Sequence, residues 1–438
     1  MNSRAQAAIA LKAVLEEGRS LNDVLPGFRS KFKNPQDFQF FQGLTFGTLR
    51  FYPRLEFIIN LCLKTPLKKA ETLVFYLLAV GLYQLMETRI PHHAALNETV
   101  EAARELKKSW GCSLINAVLH KFLREKDLFE SKLQKNPEAA FAHPKWLLEK
   151  IQKDWPSHWQ DIIENNNTPP TLSLRVNLRK CSREDYLDEL EKAEIQADII
   201  PETKAGIILF ESRDITTLPH FEQGYFSVQD SAAQFAAPLL LLSKGMRVLD
   251  VCAAPGGKTA HMLESEPDLK EVVAIDISKS RAELIKDNLK RLELSTRAKV
   301  LTEDACHPEK WWDKKQFDRI LVDAPCSGTG VIARHPDIKY LRRPSDLPKL
   351  VLTQLELLNA IWPLLKPDGL LVYATCSILM MENEKVIEKF LSCQTNARLD
   401  TFDLPVGIKL KSGHMLLPLQ NNRDGFYYAR LRKYDGRE

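Results

Sequence analysis

Two cysteines and a set of aspartates stand in this chain where buried strands should end. Cys326 lies in DAPCSGTG (Asp323–Gly330) and Cys376 in ATCS (Ala374–Ser377), each directly after an apolar run. Upstream, Asp250–Thr259 reads DVCAAPGGKT, a small-residue turn after a third such run. A thiolate is a strong nucleophile, and its pKa of about 8.5 falls beside cations or helix amides. Two thiols beside a cofactor turn suit the methylation of carbon 5 of a pyrimidine. That carbon is not nucleophilic until a thiolate adds to carbon 6 and makes it an enamine. A base must then remove the carbon-5 proton so that the thiol can leave. Asp323 can hydrogen-bond the cytosine edge and stabilise the adduct. Residue chemistry alone does not rank the two thiols. The other cysteines Cys62, Cys112, Cys181 and Cys393 read as inert small core residues.

The turn DVCAAPGGKT narrows the cofactor. Gly256 and Gly257 let backbone approach a ligand closely. A phosphate-binding loop of the form G-x-x-x-x-G-K-T would need glycine at position 252, where Cys252 stands, and the dinucleotide fingerprint G-x-G-x-x-G is absent as well. Asp276 closes the next apolar run, VVAID, where a carboxylate can accept both hydroxyls of a ribose. Asp304 follows a third strand and can reach an adenine edge. An acidic crevice suits a cationic cofactor without phosphates, and S-adenosylmethionine, with its sulfonium, is that kind of molecule. A bare strand-to-helix turn would need the glycines but not the acids.

These residues need a scaffold that gathers strand ends. From about Phe226 the chain alternates strands (Arg247–Val251, Glu271–Asp276, Lys299–Leu301, Phe317–Val322, Leu370–Thr375) with helices near Thr259–Glu264, Lys279–Leu292, Leu350–Leu365 and Met381–Leu391. This pattern predicts a mostly parallel α/β sheet with helices on both faces, ligands lying beyond the carboxyl ends of the strands. Cys252, Asp276, Asp304, Asp323 and Cys376 should then line one crevice. Strands at Leu172–Asn177 and Gly206–Phe210 around a helix at Arg183–Ala193 predict a small α/β subdomain. Residues 3 to about 135 read as helical throughout, with an almost wholly apolar helix around Leu73–Leu85 at the centre of a bundle and with Pro53, Pro66 and Pro91 punctuating between helices. The expected domains are 1–135 helical, 136–170 a helical linker, 171–225 the subdomain and 226–438 the catalytic domain.

At 438 residues the chain should hold two or three domains. No apolar run reaches the length of a membrane span, and the N-terminus reads as an amphipathic helix rather than a signal peptide. The eight cysteines include no C-x-x-C pair, so no metal site is expected and a reducing cytoplasm is. The net charge of +4 hides an asymmetry: residues 1–135 carry 20 Lys and Arg against 13 Asp and Glu. Such a basic excess suits a surface that meets a polyanion such as RNA.

Read together, FSVQDSAAQ (Phe226–Gln234), DVCAAPGGKT, DAPCSGTG, YATCS and DGFYYA (Asp424–Ala429) resemble, in order, the blocks of the bacterial RNA 5-methylcytosine methyltransferases, and among them the RsmB (Fmu/Sun) 16S ribosomal RNA family. NETVEAARELKK and SLINAVLHKFLR resemble the NusB-type helical RNA-binding domain of that family. The resemblance implies a Rossmann-like S-adenosylmethionine-dependent methyltransferase domain preceded by the NusB-like domain and the α/β subdomain. It implies Cys376 as nucleophile, Cys326 as the thiol that assists release, and Asp323 as an active-site residue. It implies a cofactor site of Cys252, Ala253, Ala254, Pro255, Gly256, Gly257, Lys258, Asp276, Asp304 and Asp323. The implied substrate is one cytosine of 16S ribosomal RNA, free or in an early small-subunit assembly intermediate, and the expected protein is a cytoplasmic monomer. A transfer RNA cytosine methyltransferase keeps the same chemistry. A non-catalytic antitermination-like RNA-binding factor would need neither cysteine, and a dehydrogenase would need the missing glycine fingerprint.

Overall fold

The computed structural model describes residues 2–211, 213–419 and 423–435. The expected outer domain limits, Met1 and Glu438, lie outside the described residues. The chain forms two compact units: Met1–Pro169 with Ile332–Pro344, and Pro170–Val331 with Ser345–Glu438.

The first unit is helical. The helix Thr72–Glu87 is buried nearly all round, with Leu77, Leu78, Val80 and Leu82 fully inaccessible, and it packs against the helices Ser3–Leu15, Pro35–Cys62, His92–Glu105 and Gly111–Arg124. Its one buried amide, Gln84, accepts from Arg4 Nε at 2.9 Å and donates to Val80 O at 3.0 Å, which meets the requirement that buried polar atoms be paired. Pro53 departs from expectation: it lies inside the 28-residue helix Pro35–Cys62, not between helices. A proline there removes the N–H that would bond Leu49 O. The deficit is met from Ile332–Pro344, where Tyr340 donates its hydroxyl to Leu49 O at 2.6 Å. Lys339 Nζ beside it donates to Arg50 O, Ala142 O and Asn167 Oδ1 at 2.8–3.0 Å, three acceptors for the three hydrogens of an ammonium.

The second unit holds two sheets. The smaller has the order β2 (Ala197–Ile199), β3 (Gly206–Leu209), β1 (Leu172–Val176), β4 (Phe226–Val228), all antiparallel. Its apolar side, with Leu174, Val176, Ile207 and Phe226, packs with Tyr186 and Leu190 of the helix Arg183–Lys192.

The larger sheet is built on five parallel strands, β5 (Arg247–Val251), β6 (Glu271–Asp276), β7 (Ala298–Thr302), β8 (Phe317–Asp323) and β9 (Leu365–Thr375), in the order β9-β8-β5-β6-β7. β5 is buried at every position, as expected of a strand covered on both faces. Beyond β9 the sheet turns antiparallel through β13 (Phe426–Lys433), which pairs with β10 (Ala397–Leu399) and β12 (Gly413–Leu416), the latter paired to β11 (Ile408–Leu410). The sequence reading contains no strand in this extension, although DGFYYA opens β13. The chain runs outward from β5 to β7, then returns to β8 on the other side of β5. The strand order therefore reverses between β5 and β8, where a ligand crevice is expected.

Candidate active site

The turn after β5 is held from three sides. Cys252 takes a left-handed φ of 59°. Ala253 N donates to Ile275 O at 3.0 Å, and Ala254 N to Asp276 Oδ2 at 3.3 Å. The carbonyls of Ala254 and Pro255 accept from Arg281 Nη2 (3.1 Å) and Asn288 Nδ2 (2.8 Å). Gly256 caps the helix Gly257–Ser265 at φ 98°, and a Cβ there would stand 3.1 Å from Ile285 Cγ2, so the position needs glycine for conformation and for space. Below the turn, Thr259 Oγ1 donates to Asp250 Oδ2 at 2.5 Å. Burial pushes the Asp250 carboxyl up to about 7, against the hydrogen bond from Thr259. Burial, with Asp323 and Asp276 nearby, pushes the Cys252 thiol up to about 12, which removes it as a nucleophile at neutral pH.

The acids occupy three consecutive strand ends. Asp276, 3% exposed, ends β6 and also accepts from Ser278 N at 3.0 Å. Asp304 follows β7, is more open, and accepts from Cys306 N at 2.9 Å. Asp323 ends β8 and pairs with Lys258 Nζ at 2.6 Å. Burial works against the Lys258 ammonium, but Asp323, with Asp250 and Cys376 adding to it, holds it above the ordinary lysine range. The ammonium also lies 4.9 Å from the ring centroid of Phe426.

The thiols meet because their strands are neighbours. β8 and β9 pair in parallel up to Asp323 opposite Ala374, so the loops carrying Cys326 and Cys376 leave side by side. Their sulfurs are 3.4 Å apart. The hydrogen bond to Cys376, followed by burial, pushes the Cys326 thiol well above its ordinary value. Gly330 N donates to Cys376 O at 2.9 Å, and a Cβ on Gly330 would stand 2.2 Å from Gly425 O, so this approach also requires glycine. The structure thus brings together the turn from Cys252 to Lys258 with Asp276, Asp323, Cys326 and Cys376, and places Asp304 one strand further out. Of the cysteines read as core, Cys62, Cys112 and Cys181 are half-buried. Cys393 is exposed instead, because it is the last residue of the helix Glu384–Cys393, beyond the packed turn.

Three buried charges beside the turn and the cysteine loops, Arg175, Glu264 and Glu382, carry no local sequence signal. Arg175 on β1 is 1% exposed, forms a buried ion pair with Glu264 at 3.0 Å and donates to Gly257 O at 2.8 Å, which ties the small sheet to the cofactor turn. Glu382 is fully buried beside the cysteine loops. Nothing local in the sequence marks it, and only the fold turns it inward.

The residues fit a sulfonium cofactor: Gly256 keeps the turn free of a side chain where one would be strained and crowded, no phosphate-binding loop is present, and carboxylates stand at or just past the ends of β6, β7 and β8. Among the described residues, no group of three or more His, Cys, Asp or Glu could hold a metal ion, and no helix is long and apolar enough to cross a membrane.

Comparison with known proteins gives three matches to family models: 16S rRNA methyltransferase RsmB/F over residues 237–432, the RsmF/B-like ferredoxin-like domain over 143–216, and the NusB family over 1–124. The chain is 46% identical over 433 residues to ribosomal RNA small subunit methyltransferase B of Pseudomonas putida, with 99% of each chain covered. It is 47% identical over 438 residues to the protein of the same name from Pseudomonas syringae pv. tomato, covering 99% and 97%. Among solved structures, a methyltransferase homolog protein from Pyrococcus horikoshii superposes with a TM-score of 0.60 at 28% identity, covering 69% of this chain and 99% of that one.

Proposed function

Because the chain belongs to the RsmB/F family of 16S ribosomal RNA methyltransferases, we propose that it methylates carbon 5 of one cytosine in that RNA through a covalent cysteine adduct. The observation that carries this reading is the pair of sulfurs, Cys326 and Cys376, 3.4 Å apart at the ends of neighbouring strands beside the Lys258–Asp323 pair. A binding protein has no use for two such thiols.

The cofactor would be held by Cys252–Lys258 with Asp276 and Asp304, Asp276 toward the ribose and Asp304 toward the adenine. Bound there, S-adenosylmethionine would supply the methyl group as an electrophile on its sulfonium, with the neutral thioether as the leaving group. Cys376 is the nucleophile. Its thiolate forms a bond to carbon 6, and the electrons of the 5,6 double bond pass into the ring so that carbon 5 can take the methyl group. Asp323, fixed by Lys258, accepts from the exocyclic amine of the cytosine and holds the base in register. Loss of the carbon-5 proton to a base restores the double bond and expels the Cys376 thiolate, and Cys326 assists this release. The target base has to leave any stack to enter the crevice.

The helical unit supplies RNA affinity. Lys64, Lys68 and Lys69 are exposed, and Lys108 Nζ reaches Ala70 O at 3.4 Å, so these ammonium groups crowd one stretch of surface. The enzyme acts in the cytoplasm as a monomer, on 16S ribosomal RNA or an early small-subunit assembly intermediate. Mapping 5-methylcytosine in ribosomal and transfer RNA from a deletion strain tests the reading. Loss of one 16S site is expected, and loss confined to transfer RNA would overturn the substrate assignment.

A further inference from the structure

Glu382 is a carboxylate with no exposure to solvent, and burying such a group costs several kcal/mol unless its oxygens are satisfied. They are satisfied from a particular place. Oε2 accepts from Ser327 Oγ at 2.5 Å and from Ser377 Oγ at 2.6 Å. Oε1 accepts from Ser327 N at 2.8 Å and Gln354 Nε2 at 3.3 Å. None of these donors is a cation. Ser327 immediately follows Cys326, and Ser377 immediately follows Cys376. One carboxylate therefore holds the residue after each thiol.

The surrounding bonds extend the clamp. Ser327 and Ser377 hydroxyls lie 3.2 Å apart, and Thr329 Oγ1 is within 3.2 Å of both. Asn383, next to Glu382, accepts from Thr375 Oγ1 at 2.5 Å and donates to Ser377 O at 2.8 Å. Tyr373 on β9 donates its hydroxyl to Glu382 O at 2.7 Å, which anchors the clamp to the strand that carries Cys376. The sheet already pairs β8 with β9, so the strands themselves do not need a buried charge to stay together. What the sheet does not fix is the path of the two loops beyond the last paired residues, and three of the four donors come from there; the fourth, Gln354, stands on the helix Asp346–Ile361.

We propose that Glu382 is a positioning residue: by accepting hydrogen bonds from both cysteine-bearing loops it sets the spacing of the two thiols for attack and release. The inference rests on the covalent reading above. A nucleophile displaced by about 1 Å can lose on the order of 100-fold in rate, so a clamp one residue away from each sulfur acts on the chemical step and not on RNA or cofactor affinity.

The test is the rate at which full-length protein forms a covalent adduct with 5-fluorocytosine-containing substrate RNA, at saturating RNA and S-adenosylmethionine. Glu382→Ala is expected to slow adduct formation about 100-fold while leaving cofactor affinity by calorimetry near the wild-type value, with a lower melting temperature because buried donors lose their acceptor. Glu382→Gln keeps the shape and can still bond both serines, so it should recover most of the loss. A Gln variant as slow as Ala would assign the effect to charge and overturn the positioning role. If Glu382→Ala does not fold, Ser377→Ala removes one loop's hold and should slow the adduct about tenfold, and a wild-type rate there overturns the inference. If wild-type protein forms no adduct, the covalent reading itself fails. If it does and folded Glu382→Ala matches its rate, only the role of Glu382 fails.

Discussion

Lys258 and Asp323 face each other across the point where the strand order reverses, Nζ to Oδ2 at 2.6 Å. The lysine begins the helix after β5 and the aspartate ends β8, so one ion pair joins the cofactor turn to the wall that carries Cys326. Both groups are well sheltered, with side chains 13% and 26% exposed. Removing one partner of such a pair leaves the other charge poorly compensated. Lys258→Met should therefore lower the single-turnover methylation rate at saturating cofactor by about 100-fold, the scale of losing one preorganised electrostatic contact, beyond any loss of cofactor affinity. A variant with the wild-type rate would show that the pair is structural only.

Asp276 is the carboxylate assigned to the ribose, and it also accepts from Ala254 N and Ser278 N. Asp276→Ala should weaken S-adenosylmethionine binding by at least about 1.5–3 kcal/mol, the worth of a hydrogen bond to a charged group. Unchanged affinity by calorimetry would remove Asp276 from the cofactor site.

Asp250 predicts a pH dependence of stability. Its folded-state pKa is raised from 3.8 to about 7, so between these values the folded protein binds more protons at this site than the unfolded chain. Its contribution to stability is therefore largest below about pH 4, falls as pH rises, and is lost above about 7. Asp250→Asn should flatten this component, seen as a smaller loss of denaturant midpoint between pH 5 and pH 8 than in wild type. Parallel curves for the two proteins would contradict the assignment.

Pro53 and Tyr340 should be energetically coupled. Tyr340→Phe leaves Leu49 O without the hydroxyl that replaces the missing helix bond, at a cost of about 1–3 kcal/mol for a buried unsatisfied acceptor. In a Pro53→Ala background the backbone N–H of residue 53 can take that carbonyl, so the same Tyr340→Phe change should cost clearly less. A double-mutant cycle by chemical denaturation measures this; equal costs in both backgrounds would refute the coupling.

The legible parts of this protein were those set by local pattern. β5, β6 and β8 follow from continuous apolar runs, the turn from its glycines, and the crevice from the rule that ligands lie beyond parallel strand ends. The illegible parts depend on what lies opposite in space. Pro53 reads as a helix boundary because its substitute donor is almost 300 positions away in sequence. Glu382 carries no local signal of burial, because its donors come from two loops and a helix elsewhere in the chain. The strands of the antiparallel extension are mostly short, three residues each for β10 and β11, too brief for alternation to register. The family resemblance implies Lys258 as a cofactor ligand, while its pairing with Asp323 depends on the register of β5 against β8.

The central claim is that Cys376 attacks the base and Cys326 helps it leave. The two roles predict opposite phenotypes: Cys376→Ala should give no turnover and no adduct, whereas Cys326→Ala should methylate and release slowly, so that a denaturation-resistant protein–RNA species accumulates. The most direct measurement is peptide mapping of the adduct that wild-type protein forms with 5-fluorocytosine RNA, in which proton removal is blocked. The account predicts the cross-link on the peptide containing Cys376. A cross-link on Cys326 would reverse the roles, and the absence of an adduct in wild type and in both variants would contradict covalent catalysis altogether.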